Sequence, residues 1–439
     1  MRLTTRIAVG AVVAAGVAAG ALFGGILRGS GPPQPAPAAP AAAADQALQG
    51  FSLGDTESLV AQLQQTLRQY PNDVLSLDLL GLAYQQRARE TGDPSYYTKS
   101  QGVLDKALVL QPHDLYATSG LGSLALSRHD FGQALQLGLE ARAISPTTAR
   151  NYGVIGDALI ELGRYSQAFS AFNEMVSLKP GVASYSRVSY ARELRGDITG
   201  ATAAMRLAED ASRGEGEGQA WTLVQLGKIE WTVGRLDQAA SDYRQALRVK
   251  PGYVYALDAL AQIYGARGDY AKAVALEQQA VDTIPLPQFV TQLGDLYRVD
   301  GQEGRAQQQY QLMGAIWRLF TANGVRTDLD QAVYDADHGI HLDQALPLAR
   351  AGQRARPSID GDDGLAWALE RTGHCQEALG YSTSALRLGT LDATKFFHRG
   401  MIERCLGHEE QAKAWFERAL KLNPHFSLLW APVAEEAVA

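Results

Sequence analysis

Residues 149–180 read Ala-Arg-Asn-Tyr-Gly-Val-Ile-Gly-Asp-Ala-Leu-Ile-Glu-Leu-Gly-Arg-Tyr-Ser-Gln-Ala-Phe-Ser-Ala-Phe-Asn-Glu-Met-Val-Ser-Leu-Lys-Pro. Tyr152, Ile155, Gly156 and Leu159 recur at three- and four-residue spacing, so they share one helical face. Ala168, Phe172 and Met175 do the same further on, and Gly163 punctuates between the two runs. Pro180 closes the unit, because proline lacks the amide hydrogen that would continue a helix. The stretch predicts two short amphipathic helices joined by a tight turn.

Near-copies of this unit fill most of the chain. The small residue of the second helix returns as Ala134, Ala168, Ala201, Ala239, Ala273, Ala306, Ala345, Ala378 and Ala412, at intervals of 33 to 39 residues. The turn glycine returns as Gly163, Gly196, Gly234, Gly268, Gly301, Gly373 and Gly407. The closing proline returns as Pro112, Pro146, Pro180, Pro251, Pro285, Pro357 and Pro424. Three markers in one phase predict a stack of helical hairpins, each burying its apolar face against its neighbours. The phase slips in places. Arg87–Ser95 is inserted in the first unit, and Ser212–Gly218 follows the fourth. Between units seven and eight the helical pattern runs on through Trp317 and Phe320 to Asn323-Gly324. A bend at 313–328 is expected to divide a front section, 74–325, from a back section, 326–426. Solenoid ends need covers. Residues 55–73, with Leu59, Leu63 and Leu67 on one face, read as an N-terminal capping helix. Residues 427–439 read as a C-terminal cap, a truncated first helix that Pro432 interrupts.

The period and its markers resemble the tetratricopeptide repeat family, whose pattern is W-x2-L-G-x2-Y…A-x3-F…A…P over about 34 residues. Local matches include Leu80-Gly81 with Tyr84, Ile155-Gly156 with Leu159, Leu226-Gly227, and Leu293-Gly294 with Tyr297. The resemblance spans 74–426, about ten units. It implies an all-α, right-handed solenoid of helix-turn-helix repeats with capping helices. Phe172, Tyr243, Tyr310 and Phe416 are expected to fill the space between repeats.

In each first helix the packing stripe occupies the fourth, seventh, eighth and eleventh positions. The second, fifth, ninth and twelfth form another stripe, rotated away from it. The resemblance implies that this second stripe lines a concave groove where a partner's peptide or helix lies. The second position contributes Arg150, Trp221 and Tyr255, and the fifth contributes Asp258, Asp330 and Asp363. The ninth contributes Asp157, Tyr190, Lys228, Asp295, Tyr334 and Trp367. Aromatics interleaved with aspartates suit a segment carrying basic and apolar side chains. Trp221 and Trp367 have a plainer reading as fillers between stacked helices. Some members of the family grip a C-terminal carboxylate with a Lys/Asn/Arg cluster on this stripe; here Lys228 stands nearly alone.

The formal net charge is −7. Arg2, Arg6 and Arg28 are the only charges among the first 44 residues, which leaves −10 on the rest. An acidic body argues against nucleic acid as a partner. Behind the basic Met1–Arg6, residues Ile7–Leu27 form a run of 21 uncharged residues. As a helix that run is about 31 Å long, enough to span a bilayer core. Residues 1–28 therefore read as a signal-anchor that tethers the chain to a membrane. A signal peptide cleaved at Ala19-Gly20-Ala21 and an apolar tail on a cytosolic protein are the alternatives. Residues 29–54 begin as a Pro/Ala-rich linker, extended in character.

Signatures of catalysis are lacking. The sequence holds no phosphate loop, no dinucleotide-binding glycine fingerprint, no serine nucleophile elbow and no zinc spacing of His and Cys. Asp328, Asp330, Asp335, Asp337, His338 and His341 crowd into unit eight, and such groups suit divalent metals. However, H-x-x-H across Gly339 is no recognised ligand spacing, and Asp328 and Asp330 also suit a helix N-terminus. Neither a metal nor a cofactor is expected. Asp360-Gly361-Asp362-Asp363-Gly364 fails as a calcium loop, because Leu365 stands where that loop needs glycine. Cys375 and Cys405, the only cysteines, fall near one edge of adjacent units. They either pair in an oxidising compartment or pack as reduced apolar groups. The chain thus reads as a non-enzymatic, exported, membrane-tethered scaffold that binds a polypeptide in its groove. A cell-surface accessory factor for solute or metal handling and a cytosolic adaptor are the other readings.

Overall fold

The computed structural model describes residues 56–439, and α-helix is the only regular secondary structure among them. The apolar N-terminal run and the Pro/Ala-rich linker lie outside the described residues. A single helix, α1 (Thr56–Gln69), leads into ten antiparallel hairpins. Units 1 to 3 are α2 (Val74–Thr91) with α3 (Ser95–Leu110), α4 (Leu115–Ser127) with α5 (Phe131–Ile144), and α6 (Ala149–Glu161) with α7 (Tyr165–Leu178). Units 4 to 6 are α8 (Val182–Glu193) with α9 (Ile198–Ser212), α10 (Glu217–Thr232) with α11 (Leu236–Val249), and α12 (Val254–Ala266) with α13 (Tyr270–Thr283). Units 7 and 8 are α14 (Pro287–Val299) with α15 (Glu303–Ala322), and α16 (Asp328–His338) with α17 (Leu342–Ala355). Units 9 and 10 are α18 (Ile359–Arg371) with α19 (Cys375–Ala385), and α20 (Ala393–Cys405) with α21 (Glu409–Leu422). A short last helix, α22 (Ala431–Val438), follows. The protein is an all-α, right-handed solenoid.

Unit 3 shows how the sequence builds each hairpin. Gly163 adopts φ +68°, and the Arg164 amide donates to the Leu159 carbonyl at 2.8 Å, which ends α6 with a left-handed cap. Within the hairpin, the Phe172 ring occupies the place where a β-carbon on Gly156 would sit. The same seat recurs for Tyr243 on Gly227, Tyr310 on Gly294 and Phe416 on Gly400. These rings therefore fill the interface inside their own hairpin, and Tyr310 also reaches the gap between repeats, packing on Tyr334 and His338 of the next unit. The slips in phase are absorbed by helix length: α2 has 18 residues and α15 has 20. Pro432 stands in the first turn of α22, where a missing amide hydrogen costs nothing, so it begins that helix and does not interrupt it. Among the described residues no helix is long and apolar enough to cross a membrane.

The stack coils until its second superhelical turn lies against its first. Contacts between the turns keep a nearly constant sequence separation: 197 residues for His129 and Arg326, 195 for Glu161 and Arg356, 194 for Tyr165 and Ile359. The separation is 196 for Leu194 and Thr390 and 192 for Trp231 and Asn423. Each contact joins the inter-helix turn of a front unit to the chain that enters or leaves a back unit. The Arg326 amide donates to the Arg128 carbonyl at 3.0 Å, and the Ile359 amide donates to the Tyr165 hydroxyl at 2.6 Å. The Thr390 hydroxyl donates to the Leu194 carbonyl at 2.6 Å, and the Asn423 side chain donates to the Trp231 carbonyl at 2.8 Å. Between them lies a buried ion pair of Arg356 and Glu161. Unit 2 departs from the others, because His129 occupies the turn-glycine position at φ +57°. That conformation costs a non-glycine residue about 1–2 kcal/mol. Here the imidazole gains the Arg326 carbonyl at 3.0 Å and the Asp330 carboxylate at 3.4 Å.

Candidate partner-binding groove

The inner stripe of the first helices is wired from unit to unit by polar side chains. Asp157 of α6 takes two bonds from Arg187 of α8, Nε to Oδ1 at 3.0 Å and Nη2 to Oδ2 at 2.7 Å. Asp258 of α12 accepts from Gln292 of α14 at 3.2 Å. Asp295 of α14 meets His338 of α16 at 2.9 Å and accepts from the Tyr310 hydroxyl at 2.7 Å. Asp337 of α16 accepts from the Trp367 indole of α18 at 2.8 Å, and Asp363 of α18 meets His398 of α20 at 3.0 Å. Facing positions one unit apart are held in reach by hairpin stacking, so a carboxylate in one unit finds a donor in the next.

Coiling turns this stripe inward and encloses two neighbouring cavities. The larger, about 510 Å³, is bordered by α12, α14, α15, α16 and the start of α18, with the segment 425–430 across it. The smaller, about 290 Å³, lies beside Tyr190, Glu193, Asp392 and Lys395. Trp231, Asp360 and Phe426 border both. Trp430 of the crossing segment packs on Trp367 at 5.4 Å and on Phe397 at 5.6 Å, which anchors that segment in the second turn.

Charge in this interior is tuned by its partners. Burial pushes Asp330 up, yet the hydrogen bond and charge of His129 and the charge of Arg356 outweigh it and hold the carboxyl below its usual value. Burial pulls His338 down, but its hydrogen bond to Asp295 and the charges of Asp295 and Asp337 raise it overall. His398 is raised in the same way, mainly by Asp363 against burial. Glu193 is pushed up to about 7 by burial. Among the described residues no group of three His, Cys, Asp or Glu side chains is placed to hold a metal ion.

Of the stripe residues singled out from sequence, Asp295, Asp330, Tyr334 and Asp363 come together around the larger cavity, and Tyr190 borders the smaller. The remaining seven border neither. Trp367 is fully buried, stacked on His398 at 4.3 Å, and Trp221 is buried beside Tyr243 and Tyr253. Arg150 bonds Ser123 at 2.7 Å, and Asp157 is committed to Arg187. Tyr255, Lys228 and Asp258 remain half-buried. Sequence reasoning missed Trp231, Arg356, Phe426 and Trp430, whose place depends on how one turn lies on the next. His129 did carry a signal: a bulky residue where seven other units have a turn glycine.

Models of the tetratricopeptide repeat match residues 149–181, 224–286 and 396–426. The cellulose synthase 1 operon protein C of Komagataeibacter xylinus is 24% identical over 273 residues, which cover 60% of this chain and 18% of that protein. Tetratricopeptide repeat protein 36 of Homo sapiens is 34% identical over 90 residues, covering 20% of this chain and 48% of that one. The chain therefore spans from about a fifth to about half the length of these two relatives. Among solved structures, the human IFIT1 dimer with PPP-AAAA is similar with a TM-score of 0.46 at 14% identity, over 86% of this chain and 93% of that one. PilW, a type IV pilus biogenesis factor, is similar with a TM-score of 0.39 at 14% identity, over 46% and 94%.

Proposed function

Because this chain is a tetratricopeptide-repeat protein, we propose that it is a protein-interaction scaffold that holds a segment of a partner polypeptide against the inner stripe of its coiled stack. The observation that supports this best is the pair of adjoining cavities between the turns, walled by aromatics and carboxylates from successive units. A surface already held in place by unit-to-unit bonds binds at low entropic cost. Tyr190 and Tyr255 lie half-buried on the stripe, so replacing both with alanine removes ring surface there, although Tyr255 also gives up its contacts with Tyr253 and Phe289. With the full chain as bait and the captured chains identified, the Tyr190→Ala/Tyr255→Ala variant should lose them. A Leu207→Ala variant, altered at an exposed apolar side chain, should keep them. Equal capture by both, with unchanged far-UV circular dichroism, refutes the groove.

The scaffold, on this proposal, is exported and tethered to a membrane by residues 7–27. The uncharged run behind Arg2 and Arg6 supports this. Protease added to intact cells should digest the repeat array; an array protected until the cells are lysed would overturn the tether's orientation.

A further inference from the structure

The larger cavity carries more negative charge than its own walls neutralise. Asp295, Asp330, Asp337, Asp360 and Asp363 border it, and Arg356, the one bordering Lys or Arg, is paired with Glu161. A buried carboxylate is costly unless donors meet it. Four of the five are met: Asp295 by His338, Asp330 by His129, Asp337 by Trp367 and Asp360 by Lys395. Asp363 is met on one side only. Its Oδ2 lies 3.0 Å from His398 Nδ1, while Oδ1 has no hydrogen-bond partner, and the residue is nine-tenths buried. The hydroxyl of Tyr334, equally buried on the same cavity, also lacks a partner. Two orphaned acceptors in an acidic chamber are matched by a charged N–H donor. Trp231, Trp317, Phe426 and Trp430 supply ring surface, which attracts organic cations and packs on an aliphatic chain.

We propose that this cavity receives the ammonium or guanidinium end of an aliphatic chain, supplied by a lysine or arginine of the segment held in the groove. For that source the proposal rests on the groove reading above. The volume, about 510 Å³, falls in the range of small-ligand sites, roughly 300–1,000 Å³. Asp363 is the specificity-determining residue, because its free oxygen accepts from the incoming cation.

Calorimetric titration of the full chain with three probes tests this. The probes are an arginine-containing tetrapeptide, the same peptide with citrulline in place of arginine, and spermidine. The arginine peptide should bind about tenfold or more tightly than its citrulline counterpart. Asp363→Asn should abolish that preference. Asp337→Asn, which keeps an acceptor for Trp367, should weaken it and serves as the second variant if Asp363→Asn fails to fold. Asp269→Asn, on an exposed cap away from the cavity, should leave it intact. Equal binding of the two peptides would keep the groove and overturn the cation site. Spermidine binding that Asp363→Asn removes, without binding of either peptide, would keep the cation chemistry and overturn the groove as its source. A preference that survives in both cavity variants overturns the assignment to this cavity.

Discussion

The two superhelical turns are built from one repeat, yet they use its turn edge differently. In the first turn, units 2 to 5 press that edge against the second turn, whereas in the second turn units 9 and 10 leave it open. Gly163 and Gly373 occupy the same position in their units and share the left-handed conformation, at φ +68° and +79°. A β-carbon on Gly163 would overlap the Pro357 carbonyl oxygen, while one on Gly373 would meet nothing within 4 Å. One residue type thus answers a local backbone demand at both edges, and in the first turn it also lets another segment of chain approach. The repeat signature cannot tell these cases apart, so experiments that separate the two edges are the informative ones.

The largest expected effect lies under the covered edge. Arg356→Ala leaves Glu161 without its buried partner at 1% exposure, which should destabilise the fold by about 3–5 kcal/mol. The matching control is Arg350, paired with Glu377 on the open side, with side chains 37% and 41% exposed. Arg350→Ala should cost under about 1 kcal/mol. Denaturant unfolding of both variants makes the comparison; equal losses would mean that the turns are not held by the buried pair.

The open edge has its own candidate tie. Cys375 begins α19 just past the turn of unit 9, and Cys405 ends α20 just before the turn of unit 10. Their α-carbons are 6.0 Å apart, within disulfide reach. We expect them to pair in an oxidising compartment, where the closed loop of about 30 residues is worth about 3.5 kcal/mol on the chain-entropy model. Cys375→Ser should lose about that much. Alkylation of both thiols without reductant, read by mass, would exclude the tie.

Gly163→Ala and Gly373→Ala compare the edges directly. Each variant forces an alanine into a left-handed conformation, at about 1–2 kcal/mol. Only Gly163→Ala also pushes the Pro357 backbone away, which should add about 1–2 kcal/mol. Equal losses in the two variants would break the distinction between covered and open edges.

The hairpins were legible because each marker answers a nearby demand: left-handed φ at Gly163, a ring's seat at Gly156, a helix end at Pro180. The coil was not. A separation of about 195 residues between Glu161 and Arg356 is the sum of many small rotations and of insertions such as the extension of α15. No local pattern encodes it, so Glu161 reads as an ordinary surface residue near a helix end. The candidate site was legible in part for the same reason. Asp295, Asp330, Tyr334 and Asp363 follow from stripe positions, whereas Trp231 and Phe426 reach the cavity only through contact between turns. Trp367 shows the limit of position alone, since an aromatic at the ninth position suits a groove and a packed core equally, and the fold buries it completely.

The smallest expected effect concerns pH and again separates the turns. Six of the eight histidines lie at or beyond residue 338, in the second turn. His338 and His398 are raised above the usual imidazole value because, against the pull of burial, Asp295 with Asp337 and Asp363 with Asp337 and Asp392 favour the charged form. The folded state therefore holds these protons more tightly than the unfolded chain does. Their contribution is complete below about pH 6.5, the unfolded value, and is lost as pH rises through the folded values. Glu193 of the first turn acts with the same sign, since burial pushes it to about 7 and its ionisation as pH climbs costs stability. Asp330 has the opposite sign, being depressed by His129 and Arg356 despite burial. Its contribution is already complete above about pH 5, so it does not offset the others near neutrality. The melting temperature should accordingly fall by about 1–3 °C between pH 6 and pH 8. A His338→Gln/His398→Gln variant should keep the part of that slope due to the carboxyls that burial raises, Glu193 together with Asp78, Asp157 and Asp258. A melting temperature that stays level or rises over this interval would remove the imidazole–carboxylate pairs as a stabilising feature of the second turn.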